Sequence, residues 1–241
     1  MGEGLAAWVL EAPDGFGDAG FHTHHAIQLT LSFRGRLSLI SGDVTIEGKQ
    51  IAVATDTPHR FVADGLLGFI FVEPESRPGR ALMEILAGRP MADIGDSAFA
   101  RAAAPLRAAF DAPLTPEAML AIARSAVAVL AGEAEPALPD ERIRRIIAHA
   151  MTHSDLSLDR AAEGAGVFLS PDRLRHLFVE QTGLAFKTYM LWRRLIRALE
   201  VYAGGQSLTE AAHMAGFSDS AHFSRVFKRF FGLPATTLTR L

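Results

Sequence analysis

The chain has 241 residues, 49% of them hydrophobic and 21% charged, which is typical of a globular protein with two domains. Cysteine is absent, which excludes disulfide bonds, thiolate metal sites and cysteine nucleophiles. No apolar run approaches the roughly 20 residues of a membrane helix, and the first residues lack the basic start of an export signal. We therefore expect a cytoplasmic protein without membrane contact. The net charge of −3 divides into +4 for residues 140–241, with 14 Lys and Arg against 10 Asp and Glu, and −7 for the first 139 residues, which favours nucleic acid as a partner of the C-terminal part.

Short β-rich segments alternate with turn residues over residues 5–73. The segments are AAWVL, AIQLTLSF, RLSLI, DVTI, QIAVAT and LLGFIFV. Turn formers such as Arg34-Gly35 and Ser41-Gly42 separate them. The pattern predicts an all-β domain over residues 1–75, built as a sandwich or a barrel.

The character of the sequence changes after the last of these segments. Ala, Leu and Arg recur at helical spacing from Pro78, and Thr115-Pro116 is predicted to begin one helix. We expect a helical segment over 76–132 that packs on the β domain and is a candidate dimer interface. A linker is predicted over 133–139, where acids and two prolines follow Gly132 and interrupt the helical pattern.

Histidines cluster at the start of the predicted β domain. His22, His24 and Gln28 would share one face of a strand, and His59 would arrive from a neighbouring strand, so imidazoles and an amide could converge. The same alternation places His25, Ile27, Leu29, Leu31 and Phe33 on the more apolar face. Three interpretations therefore stay open: a divalent metal site, a metal-free pocket for a small-molecule effector inside a barrel with a polar interior, and histidines exposed to water.

An internal repeat occupies the C-terminal part. The elements that recur 50 residues later are Ser157-Leu158, Ala161-Ala162 and Ala165-Gly166, which return as Ser207-Leu208, Ala211-Ala212 and Ala215-Gly216. Those that recur 49 residues later are Leu174, Phe178 and Gly183-Leu184, which return as Phe223, Phe227 and Gly232-Leu233. The sequence therefore predicts two copies of one helical unit.

Each copy reads as two helices joined by a sharp turn. Gly166 and Gly216 supply the turns, Ser170-Pro171 begins the second helix of the first copy, and Ser207 with Glu210 forms a capping box in the second copy. Such a pair is typical of a helix-turn-helix unit. Between the copies, Phe186–Ala203 predicts a helix of roughly 27 Å, close to the roughly 34 Å between successive major-groove faces of B-DNA.

The second helix of each copy leaves a polar face outward. Side chains of the kinds that pair with base edges are Asp172, Arg175, His176, Ser220, Ala221, Ser224 and Arg225. Lys228 and Arg229 follow one turn later and suit phosphates better than bases.

These residues resemble the DNA-binding domain of AraC/XylS-type regulators. The signature is AAHMAGFSDSAHFSRVFKRFFGLP at 211–234, and LSPDRLRHLFVEQTGLAFKTYMLWRRLIRA matches the first unit and the connecting helix. The resemblance implies two recognition helices in adjacent major grooves and gives base-facing roles to the seven residues named above. The family often has an aromatic-Arg pair after the proline, which the stretch 235–240 lacks.

The strand-rich start resembles the cupin-like sensor domain of that family. Cupin metal sites use His-x-His, a carboxylate four residues on and a later histidine. Gln28 stands here where the carboxylate would be, which removes a charge and should weaken binding of a divalent metal.

We therefore expect an α+β protein of two domains: an N-terminal cupin-like β-barrel with following helices, and an all-α domain over 140–241 with two helix-turn-helix units joined by a connecting helix. The expected function is that of a bacterial transcription regulator that binds promoter DNA, is not an enzyme and requires no cofactor. A small-molecule effector or a divalent metal would act on the N-terminal domain, and RNA polymerase and a second copy of the chain are further candidate partners. The alternative is a metal-dependent cupin enzyme with an appended helical domain, which explains the histidines but not the duplication. Another is a regulator without an effector.

Overall fold

The computed structural model describes residues 4–12, 20–112, 114–153 and 156–240. The chain divides into two compact units: residues 1–136 together with 221–241 form one, and residues 137–220 form the other. The boundary between Pro136 and Ala137 falls inside the predicted linker 133–139, and the domain limits given above remain predictions. Within the described residues, no helix combines the length and the apolar composition that crossing a membrane requires.

The strands of the described chain form two antiparallel sheets, ordered β1-β7-β2-β5-β8 and β4-β3-β6. Their bounds are β1 Leu5–Ala12, β2 Ile27–Arg34, β3 Leu37–Ser41, β4 Val44–Glu47, β5 Gln50–Val53, β6 Arg60–Ala63, β7 Gly65–Val72 and β8 Met91–Asp93. The predicted α+β fold is confirmed, but the barrel is corrected to two sheets, because no strand of the described chain belongs to both. The sequence pattern also missed β6 and β8.

The larger sheet is buried on both faces. Ile27, Leu29 and Leu31 of β2 pack with the helices that follow the sheet. The alternating residues Gln28 and Thr30 face the other way and are equally buried, at 1% and 0% exposed. Polar side chains are therefore enclosed on the second face, where they need partners.

The helices that follow β7 cover one face of this sheet. Their bounds are α1 Arg77–Leu86, α2 Ser97–Ala103, a 3₁₀ helix Ala104–Arg107, α3 Ala108–Asp111 and α4 Pro116–Ala131. The Thr115 side chain accepts a hydrogen bond from the backbone N–H of Ala118 and begins α4 where the sequence predicted a helix. Leu82, Phe99 and Val127 join the core of the sheet.

The remaining helices comprise the two copies of the repeat, the connecting helix between them and one helix that precedes them. Their bounds are α5 Glu141–Met151, α6 Leu158–Gly164, α7 Pro171–Thr182, α8 Phe186–Ala203, α9 Leu208–Met214 and α10 Ser220–Phe231, and a 3₁₀ helix Ala235–Arg240 follows. The connecting helix α8 has the predicted bounds. Gly166 and Gly216 adopt φ of +66° and +84°, values that a residue with a Cβ rarely adopts, so both turns require glycine. The capping box of Ser207 and Glu210 is also confirmed.

Candidate functional site

Helix α7 carries the first predicted set of DNA-binding residues. Leu174 and Phe178 bury one face of the helix, and this leaves Asp172, Arg175 and His176 exposed on the other. Arg175 Nη1 donates to Asp172 Oδ1 at 2.7 Å. An exposed ion pair adds little stability, but it restricts the directions in which the guanidinium of Arg175 can point.

Helix α10 carries the second set. Ser220, Ala221 and Arg225 are exposed, and Ser224 is half-buried. The residues that bury the opposite face are Phe223, Val226, Phe227, Phe230 and Phe231. Lys228 and Arg229 are exposed in the C-terminal half of the helix, and the guanidinium of Arg229 lies 5.6 Å from the ring of Phe230. Both sets thus lie on accessible helix faces, and their contact with DNA remains a prediction.

The C-terminal end of α10 packs on the β domain, within the same compact unit. The ring of Phe231 lies 5.0 Å from Trp8 and 5.3 Å from Phe71. Gly232 follows at φ +70°, and a Cβ there would lie 2.5 Å from His22 Nδ1 and 2.6 Å from the carbonyl oxygen of Gly20. The positive φ favours glycine at this point, and the close approach leaves no room for a side chain. We call this contact, formed by Phe231 and Gly232 on the β domain, the α10 dock.

The α10 dock was not predicted from the sequence. One signal was present: Phe231 lies 49 residues after Thr182, so an aromatic residue stands where the first copy has a small polar one. A substitution of that kind within a repeat indicates a different neighbour.

The predicted histidines come together in the interior of the β domain. A ring nitrogen of each of His22, His24 and His59 lies within 4.8 Å of the others. The three side chains are 6%, 1% and 0% exposed, so the interpretation of histidines exposed to water is wrong. β2 begins only at Ile27, and His22 instead pairs with His59 through two backbone hydrogen bonds of 2.9 Å. His22 and His24 therefore precede the strand rather than lie in it.

Each of these rings has its Nδ1 against a backbone carbonyl. The distances are 2.9 Å from His22 to Gly20, 2.7 Å from His24 to Ala26 and 2.8 Å from His59 to Thr57. A carbonyl oxygen only accepts hydrogen bonds, so in the neutral ring the proton sits on Nδ1 and Nε2 keeps a lone pair.

Burial keeps these three imidazoles neutral. It lowers the pKa of His24 to about 4 and that of His59 to about 2, with a smaller contribution from the neighbouring histidines. Burial also lowers the pKa of His22, against a smaller opposing effect of its hydrogen bond to Gly20. The three Nε2 atoms are therefore available as electron-pair donors at neutral pH.

Gln28 completes the cluster. Its Oε1 lies 2.9 Å from His24 Nε2 and 3.4 Å from His59 Nε2, and its Nε2 donates to Thr30 Oγ1 at 2.8 Å. The oxygen thus faces two nitrogen lone pairs, although none of these atoms carries a proton. Either a cation between them or rotation of the Gln28 amide, which would turn its N–H groups to the histidines, resolves this conflict. We call His22, His24, Gln28 and His59 the histidine cluster; it can bind a divalent metal or hold a small molecule through hydrogen bonds.

Comparison with known proteins supports the assignment of the repeat. Residues 164–240 match a family of helix-turn-helix domains. The Arabinose operon regulatory protein of Escherichia coli (strain K12) is 33% identical over 95 residues, which are 39% of this chain and 32% of that protein. The chain spans about a third of the length of the curated relatives it matches.

Solved structures extend the likeness to the whole fold. ToxT from Vibrio cholerae O395 superposes with a TM-score of 0.60 at 13% identity and covers 99% of this chain and 98% of its own. A ToxT structure bound to (E)-4-(8-methylnaphthalen-1-yl)but-3-enoic acid gives a TM-score of 0.58 at 13% identity, with 99% and 100% covered. The fold is thus a sheet domain followed by a helical domain, as in ToxT. The resemblance of the C-terminal part to AraC/XylS-type regulators is confirmed, and the relatives are transcription regulators.

Proposed function

We propose that this protein is a sequence-specific DNA-binding transcription regulator whose two helix-turn-helix units read adjacent major grooves. The observation that carries the proposal is the duplication of an exposed recognition face. Ala221, Ser224 and Arg225 on α10 occupy the repeat positions of Asp172, Arg175 and His176 on α7. One pair of helices joined by a glycine turn is common in α-helical domains, whereas two copies around an 18-residue connecting helix favour paired grooves.

The proposed roles follow from side-chain chemistry. Arg175 and Arg225 suit the O6 and N7 atoms of guanine, and the smaller polar side chains around them adjust the fit to neighbouring bases. Lys228 and Arg229 suit phosphates, which set the register of the helix but carry no sequence information. RNA polymerase and a second copy of the chain are proposed as further partners, and the cytoplasm as the place of action.

A selection experiment with the full chain tests this proposal. Duplexes enriched from a random pool should show two half-sites centred about 10.5 base pairs apart. Arg175→Ala should remove base preference in one half-site and Arg225→Ala in the other, each at about 1–3 kcal/mol. Arg101→Ala, which removes an exposed arginine from α2, is the matched control and should change neither. Full base preference in both half-sites of both variants would overturn the assignment.

An effector that binds the interior of the β domain is part of the proposal. Its support is the convergence of buried polar groups in the histidine cluster, which a domain with a purely structural role would not need. ToxT is bound to a carboxylic acid in one solved structure, so a small organic acid is one candidate, and a divalent metal is the other. Thermal unfolding with each candidate distinguishes them, because a ligand of the folded state raises the midpoint. Unchanged midpoints with both would favour a regulator without an effector.

A catalytic role is not part of the proposal. The relatives are regulators, and the enzyme alternative leaves the duplicated units unexplained. DNA binding by the helices requires no cofactor.

A further inference from the structure

We infer that a divalent transition metal bound by the histidine cluster is the signal this protein responds to, and that His22 passes the signal to α10 through the α10 dock. The proposed metal site depends only on the geometry of the histidine cluster. Only the regulatory part rests on the proposed DNA-binding function.

The donor set fits a transition metal. Three imidazoles suit zinc, nickel, copper and iron, and the amide oxygen of Gln28 adds a fourth donor. Metal-binding histidines ordinarily donate their second ring N–H to a carbonyl or a carboxylate, and His22, His24 and His59 all face a carbonyl in this way. A cation would also remove the conflict between the lone pairs and Gln28 Oε1.

Metal binding would draw the rings together. Three nitrogens at about 2.1 Å from one zinc ion lie roughly 3.4 Å apart. Here one ring nitrogen of each histidine lies within 4.8 Å of those of the other two, so a shift of the order of 1 Å closes the site. Such a movement is large compared with the tolerance of a packed interior.

His22 is the member of the cluster that touches the α10 dock most closely. The approach of Gly232 leaves no room for even one methyl group above His22 Nδ1. The ring of His24 is farther off, at 6.3 Å from the ring of Phe231, and both rings contact Phe71. Withdrawal of the His22 ring toward a metal therefore removes part of the surface on which Gly232 rests, next to Phe231. Because α10 carries Arg225, we expect the release of its end to raise the affinity for DNA.

The first test measures the metal and the dock without DNA. The chain has two tryptophans, Trp8 and Trp192, so Trp192→Phe leaves Trp8 as the only one, 5.0 Å from Phe231. Zinc has a filled d shell, so a change of emission reports a rearrangement. We expect a saturable change at one zinc per chain, and visible absorption bands of tetrahedral type when Co²⁺ replaces zinc. His24→Ala should abolish both. Absence of saturable binding by the parent protein would overturn the metal site, and binding with unchanged Trp8 emission would overturn the movement.

The second test separates the dock from the metal site. Gly232→Asn keeps a residue that tolerates positive φ but places a side chain against His22. Gly183→Asn is the matched control, because Gly183 ends α7 at φ +79° at the same repeat position. Zinc should raise the DNA affinity of the parent and of Gly183→Asn about fivefold or more. Gly232→Asn should bind DNA and still bind Co²⁺, but its DNA affinity should no longer respond to zinc.

The outcomes distinguish the two proposals. If no duplex is bound by any of these proteins, the DNA-binding function fails, while the fluorescence result on metal and dock stands by itself. The role of the dock is overturned if zinc raises the DNA affinity of Gly232→Asn as strongly as that of Gly183→Asn. It is also overturned if zinc leaves the DNA affinity of the parent unchanged or lowers it.

Discussion

Helices α7 and α10 are copies of one element, yet their C-terminal ends are built differently. At the end of α7, the buried hydroxyl of Thr182 donates to the carbonyl of Phe178 and accepts from the N–H of Leu184, so the helix satisfies its own end. At the same position of α10, Phe231 packs on the aromatic rings of Trp8 and Phe71 in the β domain. Two copies of the same helix can therefore differ in what stabilises their C-terminal ends: hydrogen bonds within the same segment for α7, and packing on the β domain for α10.

A duplicated domain can be regulated at a feature that only one of its copies has. The two copies share their glycine turns and their core spacing, so any signal acting on those features would affect both copies alike. A signal that acts on the α10 dock reaches one copy only. Under the proposed function, one groove would then be bound constantly and the other only when the signal is present.

The largest expected effect concerns the stability of the two helix ends. Phe231→Ala should lower the free energy of unfolding by about 3–5 kcal/mol, because it removes a buried ring. Thr182→Val should lower it by about 1–2 kcal/mol, because the N–H of Leu184 loses its acceptor. Urea unfolding measures both. Equal losses would mean that Phe231 contributes no more than the self-contained end of α7, which would contradict the comparison.

The next effect concerns the coupling between metal and DNA. If zinc raises the affinity for a selected duplex about fivefold or more, the duplex must raise the affinity for zinc by the same factor. Trp8 emission measures the zinc affinity with and without saturating duplex. In Gly232→Asn the two zinc affinities should agree. A zinc affinity of the parent that ignores the duplex would contradict a link through α10.

A smaller effect concerns the ion pair on α7, which α10 lacks because Ala221 stands at the position of Asp172. Asp172→Ala frees the guanidinium of Arg175, and we expect discrimination at the base it reads to fall about two- to fivefold, the range of an exposed ion pair. Competition between matched and mismatched duplexes measures the discrimination. Asp159→Ala, which removes an exposed charge from α6, is the control and should leave it unchanged.

The smallest expected effect concerns phosphate contacts. Lys228 on α10 corresponds to Val179 on α7, which is 44% exposed. Lys228→Val should reduce the slope of log affinity against log salt by about one. The loss of affinity between 50 and 200 mM salt should then be about threefold smaller than in the parent. Val179→Lys should increase the slope by a similar amount if α7 lies on DNA in the same way. An unchanged slope in both variants would place these positions away from the phosphates.

The helical part of the fold was predictable because its signals are local. The connecting helix α8 has the predicted bounds of Phe186 and Ala203, and the capping box at Ser207 appears as expected. The short strands β6 and β8 were missed because they pair with distant segments, which a local pattern does not show.

The candidate functional residues show the same difference between local signals and long-range contacts. Helical periodicity predicted the exposed faces of α7 and α10. Alternation along β2 predicted burial of the apolar face alone, which the helices cover, and so gave no sign that His24 and Gln28 are buried too. The contact of Gly232 with His22 joins residues 210 positions apart. No periodicity within either segment contains that information, and only the tertiary fold supplies it.

The α10 dock also has a consequence for the order in which the chain folds during synthesis. Domains generally fold as they leave the ribosome, starting from the N-terminal side. Here the compact unit of residues 1–136 includes residues 221–241, which are synthesised only after the whole of 137–220. The aromatic rings of Trp8 and Phe71 are therefore covered only after Phe231 has been synthesised. The unit whose synthesis starts first cannot complete its folding first. A pause in translation between the two segments would prolong the exposure of that surface, and chaperone binding to the stalled nascent chain should increase accordingly.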